Sequence, residues 1–202
     1  MASSRGIFQA AFPILLVALS VLSVRAQNSV RWTTNYYTIT GVTIPELRQS
    51  IRQNRPWKDR LEHDAMTDWR VNWQFTVTPA PGGCRVSMFG TQTAIVITMP
   101  RWTAPTNAPD ITRRIWQRYI KALGRHEAGH GAMALAAAAE LNKRARTMGE
   151  GVDCEGLKSR TESLGRQVIE EFRAKDKAYD EKTRHGATQG AALPGGRMSR
   201  ER

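Results

Sequence analysis

The apolar positions of the chain fall into runs of different period. From Trp69 to Val77, the residues Trp69, Val71, Trp73, Phe75 and Val77 alternate strictly with Arg70, Asn72, Gln74 and Thr76, the period of a strand with one buried face. A second extended run goes from Cys84 through Gly90 to Met99 and closes at Pro100, and Pro79-Ala80-Pro81-Gly82-Gly83 between the two reads as a turn. Tyr36 to Thr40 is aromatic and β-branched and stops at Gly41, as a strand does. Strands this close, joined by short turns, predict a mainly antiparallel sheet.

Three other stretches follow the helical period. Ile44 to Arg52 places Ile44, Leu47 and Ile51 on one face, with Pro45 tolerated in the first turn and Asn54-Arg55-Pro56 as the break. From Ile111 the spacing predicts one long helix, opened by Pro109-Asp110 and stopped by Gly149. Its apolar stripe runs through Ile115, Trp116, Tyr119, Ile120 and Leu123, then resumes at Met133, Ala134, Ala137 and Leu141. A further helix begins near Glu155, with Leu157, Leu164, Val168, Phe172 and Tyr179 on its stripe and charged residues such as Glu170, Arg173 and Lys177 on a solvated face. Trp102 to Asp110 reads as a loop entering the long helix. The expected fold is α+β: a sheet packed against two long helices that form an antiparallel hairpin about Gly151.

The two ends are of different character. Residues 1–26 read as a signal peptide, with Arg5 ahead of the apolar segment Ala10 to Val24 and Val24-Arg25-Ala26 as the cleavage site. That segment is shorter than the ~20 residues of a spanning helix, so no stable membrane insertion is expected after cleavage. Residues 27–185 form one domain with a single core, and residues 186–202, rich in Gly and Arg and without periodicity, read as a disordered basic tail. The destination is secreted or periplasmic, and Cys84 and Cys154, the two cysteines of the chain, are expected to form a disulfide there.

The formal charge is +12. Arg5 and Arg25 belong to the leader, so the mature chain keeps a basic surface suited to anionic surroundings, though a solvated basic surface is the blander account. No aromatic-basic motif marks a nucleic-acid groove, so no nucleic-acid partner is expected.

The break in the long helix's apolar stripe is where the chemistry sits. Arg125-His126-Glu127-Ala128-Gly129-His130-Gly131 contains H-E-x-x-H. Histidines four apart share a helix face and reach one metal ion, and the glutamate after the first lies beside that ion's water. A polar triplet on a buried face is costly unless something satisfies it, and a metal does. The expectation is one Zn²⁺ per chain, held by His126 and His130, with Glu127 as general base.

A catalytic zinc usually takes three protein ligands. Pairing residues of the two helices by distance from Gly151 puts the motif opposite Arg173. With slippage of a turn or two, Asp176, Tyr179, Asp180 and His185 come within reach. His185 is the first choice for third ligand, Asp180 the second and Asp176 behind both. Glu140 lies ~15 Å further along the motif's own helix. Tyr179 is a candidate donor to a developing oxyanion, with a core aromatic as its plainer role. His63, within Glu62-His63-Asp64, reads as a surface histidine.

Tyr36-Tyr37-Thr38-Ile39-Thr40-Gly41, Met99-Pro100-Arg101-Trp102, the HEAGH segment and Tyr179-Asp180-Glu181-Lys182-Thr183-Arg184-His185-Gly186 resemble a bacterial family of uncharacterised proteins. Its members are predicted to be secreted zinc-dependent proteases of the zincin type. The resemblance covers most of the chain from about Arg31 to Leu193. It implies a zincin-like α+β fold, His126 and His130 as ligands, Glu127 as base, and His185 or Asp180 completing the site. The extended H-x-x-G-x-x-H motif of metzincins is missing, since Gly131-Ala132-Met133-Ala134 follows instead. The expected activity is hydrolysis of peptide or amide bonds in a protein substrate, a cell-envelope peptide among the options. The alternative is an envelope-binding protein on the same scaffold, with the metal structural or absent.

Overall fold

In the computed structural model, residues 28–57 and 63–195 are described. The expected signal peptide and residues 196–202 of the expected tail lie outside them. The fold is α+β, with a three-stranded sheet and three helices. Strand β1 spans Ser29–Ile39 and is followed by helix α1, Ile44–Asn54. The α1 start is fixed by a capping box: Thr43 accepts from the Glu46 backbone N–H while Glu46 accepts from that of Thr43.

Strands β2 (Met66–Ala80) and β3 (Gly83–Trp102) pair antiparallel through the Pro-Gly turn read from the sequence. The turn has φ +87° at Gly82 and +151° at Gly83, values that glycine adopts freely. The alternation of β2 holds in space, with Trp69 and Val71 buried and Arg70, Asn72, Gln74 and Thr76 exposed.

The sheet is mixed rather than mainly antiparallel. Its order is β1-β3-β2, and β1 runs parallel to β3. Short turns dictate antiparallel pairing only between sequence neighbours. β1 does not neighbour β2, and its link to β3 runs through α1, β2 and the hairpin, long enough for a parallel crossover.

Helix α2 runs uninterrupted over Asp110–Arg146, and α3 follows over Cys154–Thr183 after a turn at Gly151. The Cys84–Cys154 disulfide is formed, with Cα atoms 5.2 Å apart, and ties the β2–β3 hairpin to the start of α3. Backbone bonds between Cys84 and Gly151 reinforce the same junction. The disulfide fits an extracytoplasmic location. Among the described residues, no helix is long and apolar enough to cross a membrane.

The core lies between sheet and helices. Ile39, Leu47, Trp69, Ile95, Tyr119, Leu141, Leu157 and Val168 are buried there. Gly165 lets α3 approach the ring of Trp73, since a side chain at that position would overlap it.

Residues 186–195 do not behave as a solvated tail. A 3-10 turn at Ala187–Gln189 follows α3, and Ala191 and Leu193 are buried against the core. Two anchoring apolar residues in a Gly-rich stretch make no period, which is why the sequence pattern does not announce them.

Candidate metal centre

The middle of α2 faces the last turns of α3. His126, Glu127 and His130 are all buried, at 3%, 4% and 7% exposure. The helical period puts the two histidines on one face, and α3 brings Asp180 over it. The Nε2 atoms of His126 and His130 lie 3.1 Å apart. Oδ1 of Asp180 is 3.1 Å from the first and 3.2 Å from the second. Three ligand-type atoms thus form a nearly equilateral triangle.

Each histidine is turned by a bond on its other nitrogen. His130 Nδ1–H donates to Asp176 Oδ1 at 2.7 Å, and His126 Nδ1–H donates to Gln189 Oε1 at 2.9 Å. Asp176 is itself held, because its Oδ2 accepts from Trp69 Nε1 at 2.9 Å. With both Nδ1 atoms donating outwards, both Nε2 atoms face the triangle. Two ring nitrogens and a carboxylate oxygen this close need a proton or a metal cation among them.

The residues present fit zinc. Tetrahedral zinc with bonds of ~2.0–2.1 Å holds its ligand atoms about 3.3–3.4 Å apart, so each edge of the triangle need open by only about 0.2 Å. The donor set of two imidazoles and one carboxylate suits that ion. His126, His130 and Asp180 are the possible metal-binding cluster among the described residues.

Protonation follows the same geometry. Burial pulls the His130 pKa down, but the bonds to Asp176 and Asp180 outweigh it and push it up to about 10. Burial alone would raise Asp180, yet the bonds from His126 and His130 hold its carboxyl well below the usual carboxylate range. Glu127 is pushed up by burial, against the lowering effects of Thr67 and the two histidines. The Thr67 hydroxyl, from β2, donates to Glu127 Oε2 at 2.6 Å.

His185 stands outside the triangle. Its ring is half-exposed, with Nδ1 3.3 Å from Asp180 Oδ2, the oxygen turned away from the two histidines. The His63 ring lies edge-on to it at 4.5 Å. Tyr179 stacks on His126 with centroids 5.0 Å apart and planes at 13°. Its hydroxyl donates to the His126 backbone carbonyl at 2.9 Å and accepts from Gln189 Nε2 at 3.1 Å. It therefore braces the ligand helix. Room for it comes from Gly129 inside the motif, where any side chain would overlap the phenol.

The model of the family described as "Bacterial protein of unknown function (DUF922)" matches residues 34–186. The chain belongs to this family. No curated protein and no solved structure matches it. The matched region contains the whole HExxH segment and Asp176, Tyr179, Asp180 and His185, while Gln189 falls just beyond it.

The sequence reading missed Gln189, Thr67 and the Trp69–Asp176 bond. Asp176, Tyr179 and Asp180 do carry a signal, since positions i, i+3 and i+4 share a helix face. Gln189 carries none. It is brought back by left-handed backbone at Arg184, His185 and Gly186, which no period reveals.

Proposed function

We propose that this protein is a secreted or periplasmic zinc-dependent peptidase with a zincin-like scaffold. One observation carries the reading: two imidazole Nε2 atoms and a carboxylate oxygen form a triangle of 3.1–3.2 Å edges, with a buried glutamate between the two histidines on the same helix. A structural metal site has no use for that glutamate, which makes the catalytic reading the better supported one. His126, His130 and Asp180 would hold the metal in this account, three protein ligands as in catalytic zinc sites.

Zinc bound there supplies Lewis acidity, lowering the pKa of a water to about 7 and polarising a substrate carbonyl. The chain's own residues do the rest. Asp176 and Gln189 keep the two imidazoles in the ligating tautomer. Glu127 takes a proton from the attacking water and returns it to the leaving amine. Its burial raises its proton affinity towards the range in which a carboxylate works well as a base near neutral pH. Thr67 fixes one carboxylate oxygen and leaves the other free for that transfer.

Export is supported by the disulfide and by the leader read from residues 1–26. The test is digestion of a diverse peptide mixture by the zinc-loaded mature protein, read by mass spectrometry beside Glu127→Gln. Cleavage by the wild type, reduced at least about 10²-fold in a variant that still holds zinc, is expected. Cleavage undiminished in Glu127→Gln, or no cleavage of any peptide by the zinc-loaded wild type, contradicts the reading.

A further inference from the structure

The first half of α2 carries a row of cations that the metal site does not use. Arg114, Arg118, Lys121 and Arg125 are all exposed. Their spacing of four, three and four residues keeps them within an arc of about 60°, along ~16 Å of helix axis. Between Asp110 and Glu127 the helix has no acidic residue. Among the described residues none of the four cations pairs with a carboxylate, whereas Arg113 beside them reaches Asp110.

Several other cations of the two long helices do have carboxylate partners. Arg144 bridges Glu140 and Glu171, and Lys158 and Lys177 pair with Glu155 and Glu181. Local helix energetics disfavour the unpaired row as well. Like charges at i,i+3 and i,i+4 repel. Helix stability therefore does not account for it.

The row borders a groove of ≈ 450 Å³. Arg118, Lys121 and Arg125 line it from α2, and Gln189, Gly190 and Pro194 line it from the chain after α3. Gln189 also accepts from His126 Nδ1, so the groove adjoins the residues that hold the candidate metal centre.

We propose that this groove binds an acidic segment of a polypeptide, with Arg118, Lys121 and Arg125 facing Asp or Glu side chains. That the segment belongs to the substrate, on one side of the scissile bond, rests on the peptidase reading; the acidic-peptide site does not. Arg118 to Arg125 span ~10 Å of helix axis, and an extended peptide rises ~3.3 Å per residue, so the three cations match about three residues. The cations line a groove that adjoins the metal site rather than a separate flat face, which favours a peptide over a membrane surface.

The test uses the mature zinc-loaded Glu127→Gln protein and labelled peptides of matched sequence, acidic or neutral along one half, with binding read by fluorescence anisotropy. The acidic peptide is expected to bind about tenfold more tightly at low salt, with the preference fading as salt rises. In Arg118→Glu/Arg125→Glu the acidic-to-neutral ratio falls towards one, with zinc content and melting temperature reporting a folded chain. Arg118→Gln/Arg125→Gln gives the same readout should charge reversal unfold the protein. Equal binding of the two peptides overturns the proposal, as does a preference that survives both variants. Arg118-dependent binding of phosphatidylglycerol vesicles without acidic-peptide binding also overturns it, in favour of a membrane. An acidic preference in a protein that cleaves nothing sinks the peptidase reading and leaves the groove. Cleavage by the wild type without acidic preference in binding does the reverse.

Discussion

Asp176 Oδ1 accepts a 2.7 Å hydrogen bond from His130 Nδ1, and that bond decides which nitrogen of His130 faces the triangle. A carboxylate behind a ligating histidine fixes the ring and raises its basicity. Trp69 then fixes the carboxylate, so a strand residue reaches the site through two hydrogen bonds.

Asp176→Ala removes the orienting partner but no member of the triangle. Zinc affinity is expected to fall about 10- to 100-fold, measured by competition with a chromophoric chelator. Trp69→Phe keeps the ring and loses the N–H, so its loss is smaller than that of Asp176→Ala. An unchanged affinity in Asp176→Ala would remove Asp176 from the account.

Gly129 and Gly131 both lie under aromatic rings, and the rings differ in freedom. Tyr179 over Gly129 is held by hydrogen bonds to His126 and Gln189, whereas Trp32 over Gly131 is 46% exposed. Gly129→Ala is expected to cost about 1–3 kcal/mol by overpacking and to weaken zinc binding, because the displaced phenol lies against His126. Gly131→Ala moves a ring that has solvent to move into, so its cost is smaller. Thermal melts of the two variants, with and without zinc, give the order.

The pH dependence differs between the metal-free and zinc-loaded protein. His130 is raised to about 10 without metal, so its stabilisation is fully present below the unfolded value of about 6.5 and is lost as pH rises through 10. Asp180 is depressed, so its contribution is present above about 3.9 and is lost as pH falls. Glu127 is raised, so its contribution is fully present below about 4.3 and is lost as pH rises above that. The metal-free chain is therefore most favoured by these groups near about pH 4, and loses their contribution first through Glu127 and then through His130 as pH rises. Zinc must displace the His130 proton, so its affinity rises with pH. The gap in melting temperature between zinc-loaded and metal-free protein is expected to widen from pH 6 to pH 8. A gap that narrows over that range would contradict the assigned protonation.

Much of this arrangement is legible in the chain itself. Strict alternation from Trp69 to Val77 predicts a strand because only one face of β2 is buried. The interrupted stripe of α2 marks His126, Glu127 and His130 because polar groups replace core positions there. Counting outward from Gly151 brings Asp176 to His185 near the motif because two helices joined by a short turn must run antiparallel. The choice between Asp180 and His185 is not legible in that way. It depends on the left-handed backbone at Arg184 and His185, which turns the His185 ring outwards while Asp180 stays on the helical face. The parallel pairing of β1 is equally hidden, since it follows from where a long connection returns and not from any local period.

The most direct measurement is zinc content of the purified mature protein beside Asp180→Ala and His185→Ala. The geometry predicts one zinc per chain in the wild type, lost in Asp180→Ala and retained in His185→Ala. Zinc that survives Asp180→Ala but disappears with His185→Ala would move the third ligand, and a wild type that takes up no zinc after reconstitution would contradict the metal centre altogether.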